Sequence, residues 1–250
     1  MPRVRSGPTV ALIAALIVYA ALLATLAATA GLGVAGWVTG ALFGFCLYGL
    51  LNGAKPLGPA DGVTMMRAAL VGCVAALVAD AFTRPVPTGL IVAITVVALV
   101  LDAVDGRVAR RTGTSSDFGA RFDMEVDAFL ILVLSVDVAR ALGAWVLAIG
   151  AMRYAYAVAG WALPWLRGGV PPRYWRKVVA AVQGIVLTVA ASGLLPTSVT
   201  LVAVAVALAL LAESFGRDVA WQWLFRNGVH VAGAAQRPEP VKQLNKAGTV

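Results

Sequence analysis

Apolar stretches of about 20 residues, the length needed to cross a hydrocarbon core, recur along almost the whole chain and are divided by short polar or turn-rich breaks. Eight helices are predicted from them: Val10 to Ala30, Gly33 to Asn52, Ala60 to Ala81, Pro87 to Asp105, Gly119 to Ala139, Leu142 to Leu166, Tyr174 to Leu194 and Ser198 to Trp221. The pattern predicts an all-α, polytopic integral membrane protein. Several of these segments carry charge and would fail a strict hydropathy test, and those are the informative ones. No charged residue occurs from Ser6 to Ala54, and the run Gly53-Ala54-Lys55-Pro56-Leu57-Gly58-Pro59 then breaks helix continuity. Residues 1–52 therefore read as an N-terminal two-helix hairpin and residues 58–222 as a six-helix unit. Residues 227–250 mix Gly, Ala, Pro, Gln and Lys without apolar periodicity and read as a disordered basic tail.

Composition agrees: 60% of the residues are hydrophobic and 13% charged, so water is not the main solvent. Charge gives the orientation, because Lys and Arg accumulate in short cytoplasmic loops. Arg3, Arg5, Lys55, Arg107, Arg110, Arg111, Arg121, Arg167, Arg173, Arg176, Lys177, Arg217 and the basic residues of the tail fall on one side of an eight-span chain; the other side receives Arg84 and Arg140. Both termini are expected on the cytoplasmic side of the cell membrane. The net charge of +8 then reads as positive-inside bias and attraction to anionic lipid. No aromatic-interleaved basic surface points to nucleic acid. The first segment follows Arg3 and Arg5 and ends in Ala28-Thr29-Ala30, like a cleavable signal, but its apolar run exceeds the roughly 7–15 residues of a signal core, so a retained helix is expected. Cys46 and Cys73 lie in separate apolar spans without metal-ligand spacing and read as buried small hydrophobes. His230, the single histidine, falls in the tail and reads as a solvated bystander. Trp221 and Trp223 read as interfacial anchors.

Carboxylates are concentrated where they are most costly. Asp102 and Asp105 end the fourth span, and Asp123 and Asp127 open the fifth. A charge near the membrane core costs about 2.5–3.5 kcal/mol on insertion scales, so four aspartates at two facing helix ends require a compensating cation or a functional reason. The i, i+3 spacing of the first pair and the i, i+4, i+8 spacing of Gly119, Asp123 and Asp127 put each set on one helix stripe. The connection Arg111 to Phe118 returns the chain antiparallel, so the stripes can face each other. Oxygen ligands without His or Cys suit Mg²⁺ or Mn²⁺, and such ions complete their shells with phosphate oxygens. Gly106, Ala109 and Gly119 are small enough to let a flat base or a diphosphate approach the backbone.

Asp102, Asp105, Gly106, Ala109, Arg110, Gly119, Asp123 and Asp127 together spell D-x2-D-G-x2-A-R-x8-G-x3-D-x3-D, which resembles the signature of the CDP-alcohol phosphatidyltransferase family at all eight positions. The chain also looks like the members that make phosphatidylglycerophosphate and phosphatidylinositol phosphate. The resemblance implies transfer of a phosphatidyl group from a CDP-alcohol, with CDP-diacylglycerol as the default donor, to an alcohol with release of CMP, and it implies a homodimer. It further implies that Asp102, Asp105, Asp123 and Asp127 hold a pair of divalent ions, that Asp127 is general base, that Arg110 contacts the donor diphosphate, and that Gly106, Ala109 and Gly119 line the cytidine pocket. The N-terminal hairpin is an addition to the family's minimal core.

Asp61, Thr64 and Arg67, at i, i+3 and i+6, form a polar stripe at the start of the third span. The resemblance assigns them to donor binding. A plainer account makes Asp61 a favourable charge at a helix start and lets Arg67 snorkel to headgroups. Arg153, inside the sixth span, should face a polar cavity. With Arg173, Arg176 and Lys177 it would form a cationic pocket for an acceptor that carries phosphate; the alternative for Arg153 is an internal ion pair with Glu213, and for the others plain positive-inside bias. Glu125, Asp117, Asp80 and Asp137 receive no catalytic role. A transporter or channel is the main rival, but the carboxylates cluster at one membrane edge and no inverted repeat is evident; an intact eight-position motif argues against a silent scaffold.

Overall fold

The computed structural model describes residues 8–52, 59–112, 117–168 and 174–225, with side chains there except at 8–11, 59–61, 105–112, 117, 118, 167 and 225. The helices are α1 (Pro8–Ala30), α2 (Val34–Leu51), α3 (Pro59–Asp80), α4 (Thr88–Thr112), α5 (Asp117–Leu142), α6 (Leu147–Ala162), α7 (Tyr174–Ser192) and α8 (Thr197–Phe225). No strand occurs among the described residues. Five helices, α1, α2, α3, α7 and α8, are long and apolar enough to cross a membrane by length and composition, and Thr88–Val104 of α4 is a shorter apolar stretch. The chain is an all-α polytopic membrane protein.

The predicted boundaries need three corrections. The fourth helix runs through the charged motif to Thr112 rather than ending at Asp105, because no glycine or proline follows Gly106 until Gly113 to break it. The connection to α5 shrinks accordingly to residues 113–116, outside the described residues. The sixth span is broken: a left-handed Gly143 (φ 100°) and the 3₁₀ turn Ala144–Val146 precede α6, and a second 3₁₀ turn, Pro164–Arg167, follows Leu163. The predicted tail, including His230, lies outside the described residues.

α3 is the axis of the bundle. Of its apolar span 72% is buried, against 22% for α1, α2 and α8. It packs against α1, α2, α4 and α5. Small side chains make this possible, since Ala68, Ala69, Cys73, Ala75 and Ala76 are all buried and apolar helices in lipid associate by close backbone approach rather than by escaping water. At Gly72 an added Cβ would lie 2.5 Å from Phe43 and 2.8 Å from Tyr19. The hairpin is thus joined to the bundle: α1 and α2 each pack more extensively on α3 than on each other. Gly36 and Gly40, one turn apart on α2, are buried; Tyr19 of α1 donates its hydroxyl to the Gly40 carbonyl at 2.8 Å.

Asp80, at the far end of α3, is fully buried and accepts the backbone N–H groups of Gly33 and Gly36 at 2.6 Å each. It caps the start of α2 through space, satisfying donors a helix N-terminus leaves free. Arg84 nearby donates to the last carbonyl of α1, Ala30, at 2.7 Å. Cys73 is buried as expected, but Cys46 lies on the exposed outer side of α2; an apolar span in lipid has no need to bury both faces.

Candidate active site

Two turns into α3, Arg67 is 1% exposed. Its Nη1 donates to Asp102 Oδ1 on α4 at 2.8 Å and to Asp123 Oδ1 on α5 at 2.5 Å. Its Nη2 donates to Asp127 Oδ1 at 2.6 Å and to the Asp123 carbonyl at 3.2 Å. Asp102 of α4 therefore meets Asp123 and Asp127 of α5, with the guanidinium beneath them. Arg67 does not snorkel to headgroups, because both terminal nitrogens are held by the cluster. Its buried Nε has no acceptor among the described residues, so ionic contact holds the guanidinium rather than full hydrogen-bond satisfaction.

Asp102, Asp123 and Asp127 offer ligand atoms that all lie within 4.8 Å of one another. Their side chains are 37–41% exposed, on the open side of the buried arginine. One guanidinium against three carboxylates leaves two negative charges among the described side chains, and every ligand atom is a hard oxygen. The group fits a divalent cation such as Mg²⁺ or Mn²⁺. Asp105, Gly106, Ala109 and Arg110 follow Asp102 on α4, and Asp61 precedes Thr64 on α3, but their side chains lie outside the described residues. Thr64, one turn before Arg67, is buried, and Gly119 lies one turn before Asp123 on α5.

A second polar cluster joins α5, α6, α7 and α8 at the same end. Arg153 pairs with Glu125, not with Glu213; Glu125 lies off the Asp123 and Asp127 stripe and so faces α6. Glu213 instead accepts Trp175 Nε1 at 3.1 Å and pairs with Arg217 one turn on. Arg176 Nε lies 3.2 Å from Asp218, whose carboxylate is buried. Gln222, one turn beyond Asp218, accepts the Tyr156 hydroxyl at 2.6 Å and donates to the carbonyls of Leu166 and Gly168. Tyr156, Ala157, Gly160, Trp161 and Leu166 line a cavity of about 360 Å³. Lys177 is exposed, and Arg173 lies outside the described residues. Trp223 meets Trp165 edge to face at 5.3 Å. Glu125, Asp218 and Gln222 were not expected in this cluster; their only signal was polarity within apolar helices.

A helical membrane bundle with an aspartate cluster able to hold a divalent ion at one end has the parts for metal-dependent chemistry on phosphate esters. The family model for CDP-alcohol phosphatidyltransferase matches residues 58–217, and the chain belongs to that family. Comparison with curated proteins and with solved structures returns no match. The family transfers a phosphatidyl group from a CDP-alcohol to an alcohol acceptor and depends on divalent metal.

Proposed function

We propose that the protein transfers the phosphatidyl group of CDP-diacylglycerol to a phosphorylated polyol, such as glycerol phosphate or inositol phosphate, with release of CMP, as a step of phospholipid synthesis. The observation that carries the reading is the convergence of Asp102, Asp123 and Asp127 inside the segment matched by the family. Asp105 completes the ligand set in this proposal. Divalent ions, when bound, neutralise the donor diphosphate and the departing CMP. Residues of the chain do the rest. Asp61, Thr64, Gly106, Ala109, Arg110 and Gly119 line the donor site, and Arg67 lies beneath it, held by the aspartates rather than by the donor. Asp127 takes the proton of the acceptor hydroxyl as that oxygen bonds to the phosphorus carrying the diacylglycerol, and the bond from this phosphorus to CMP breaks with its electron pair leaving on CMP.

Arg153, Arg173, Arg176 and Lys177 form the acceptor side. Arg153 and Arg176 already hold carboxylates, so an acceptor phosphate would exchange with Glu125 or Asp218 rather than meet bare cations. The exchange favours a dianionic phosphate over a neutral alcohol. We place the site and both termini on the cytoplasmic side, supported by the Arg and Lys asymmetry. Residues 58–222 serve as the catalytic unit and 1–52 as an N-terminal hairpin. The family resemblance supports a homodimer. Incubating the purified protein and Mn²⁺ with CDP-diacylglycerol and an alcohol panel tests the assignment. CMP release should require glycerol phosphate or inositol phosphate; release with free glycerol, free inositol or serine instead would overturn the acceptor.

A further inference from the structure

Arg67 is placed as no other described arginine is. It is 1% exposed, bonds three carboxylates at 2.5–2.8 Å, and lies beneath carboxylates that are themselves 37–41% exposed. Three like charges with ligand atoms within 4.8 Å of one another would repel strongly at the low effective dielectric of a helix bundle. The guanidinium spans all three because its donors fan out in one plane, which an ammonium group cannot match. A donor contact does not account for this position, since any phosphate oxygen reaching Nη1 or Nη2 would first have to displace an aspartate.

We infer that Arg67 is a built-in counter-ion for the aspartate cluster: it keeps α3, α4 and α5 joined at this end without help from the metal, and in doing so it weakens the metal's hold. The inference rests on the reading of Asp102, Asp123 and Asp127 as divalent-metal ligands. The physical reason for the second half is that both cations draw on the same carboxylates, so the charge Arg67 neutralises is no longer available to the metal. A moderate metal affinity follows, together with a fold that survives chelation.

The test compares wild type, Arg67→Met and Arg67→Lys in detergent, measuring thermal unfolding in EDTA and in saturating Mn²⁺, and Mn²⁺ affinity from the spectrum of the free ion. Wild type should stay folded in EDTA. Arg67→Met should unfold well below wild type in EDTA, recover most of that loss in Mn²⁺, and bind Mn²⁺ roughly tenfold or more tightly, as expected when a unit positive charge leaves a low-dielectric site. Arg67→Lys should fall between the two. An equal loss of stability in EDTA and Mn²⁺ would make Arg67 an ordinary packing residue, and weaker Mn²⁺ binding in Arg67→Met would make it a brace that the metal needs; either result overturns the inference. Should Arg67→Met not accumulate, Arg67→Met/Asp123→Asn removes one charge of each sign and should restore a protein that is folded in EDTA; no restoration also overturns it. A wild type that binds no Mn²⁺ refutes the metal-site reading itself, a failure distinct from wild-type binding that the arginine variants leave unchanged.

Discussion

Asp127 projects from α5 one turn after Asp123, and its carboxylate is 41% exposed above an arginine that is 1% exposed. That gradient, cation inside and carboxylates outside, leaves the carboxylate oxygens open at this end of the bundle. Loss of one ligand should therefore be costly to chemistry. Asp102→Asn is expected to lower CMP release on the order of 100-fold or more, measured at saturating donor. Arg153→Ala should instead raise the acceptor KM by roughly tenfold, the scale of one charge-assisted contact, with the donor KM unchanged; a rise in donor KM alone would place Arg153 in the wrong subsite. The aspartates were legible in the sequence because a short motif repeats carboxylates at helical spacing. Their shared partner was not. Arg67 is separated from them by 35, 56 and 60 residues, and its proximity to a helix start suggested only snorkelling or donor contact. The same holds for Arg153: Glu213 was the ion-pair partner the sequence suggested, and the packing of α5 against α6 supplies Glu125 instead.

Helices meet here through small residues and a few buried polar contacts, so single changes should act on whole elements. Asp80→Ala leaves the N–H groups of Gly33 and Gly36 without their acceptor and is expected to cost about 3 kcal/mol, by analogy with hydrogen bonds to charged groups. The readout is the unfolding midpoint in detergent, with the carboxylate cluster at the other end of α3 intact. Gly150→Ala would put a Cβ 2.5 Å from the Leu132 Cα, and backbone cannot yield as a side-chain tip can. It should force α6 from α5 and destabilise by about 1–3 kcal/mol. Helix number and most helix ends were readable from apolar length. The end of α4 was not, because the charged motif looked like a boundary although its residues sustain a helix. Gly36, Gly40 and Gly44 recur at four-residue spacing on α2, and small residues at that spacing permit close helix packing. Asp80 offered none, since its cap partners are 44 and 47 residues away.

Among the described residues the aspartate cluster and the Arg153, Arg176 and Gln222 contacts gather at one end of the bundle, while the opposite end holds the Asp137–Arg140 pair and the Asp80–Arg84 pair with its bonds to Ala30, Gly33 and Gly36. Membrane insertion with the site end in the cytoplasm predicts that Thr83→Cys, in a background lacking Cys46 and Cys73, reacts with an impermeant maleimide in intact cells. Gly168→Cys should react only after permeabilisation; the reverse pattern would invert the protein. α1 and α2 pack on the same helix that carries Arg67, so the hairpin does not stand apart from the bundle. The most direct measurement is CMP release from CDP-diacylglycerol, with glycerol phosphate or inositol phosphate as acceptor, by wild type and Asp127→Asn at matched folding, each with Mn²⁺ and with EDTA. Wild type should release CMP in Mn²⁺ and not in EDTA, and Asp127→Asn should fall by at least about 100-fold while its unfolding remains cooperative. Equal release by the two proteins, or release undiminished in EDTA, would contradict metal-dependent transfer at this aspartate cluster.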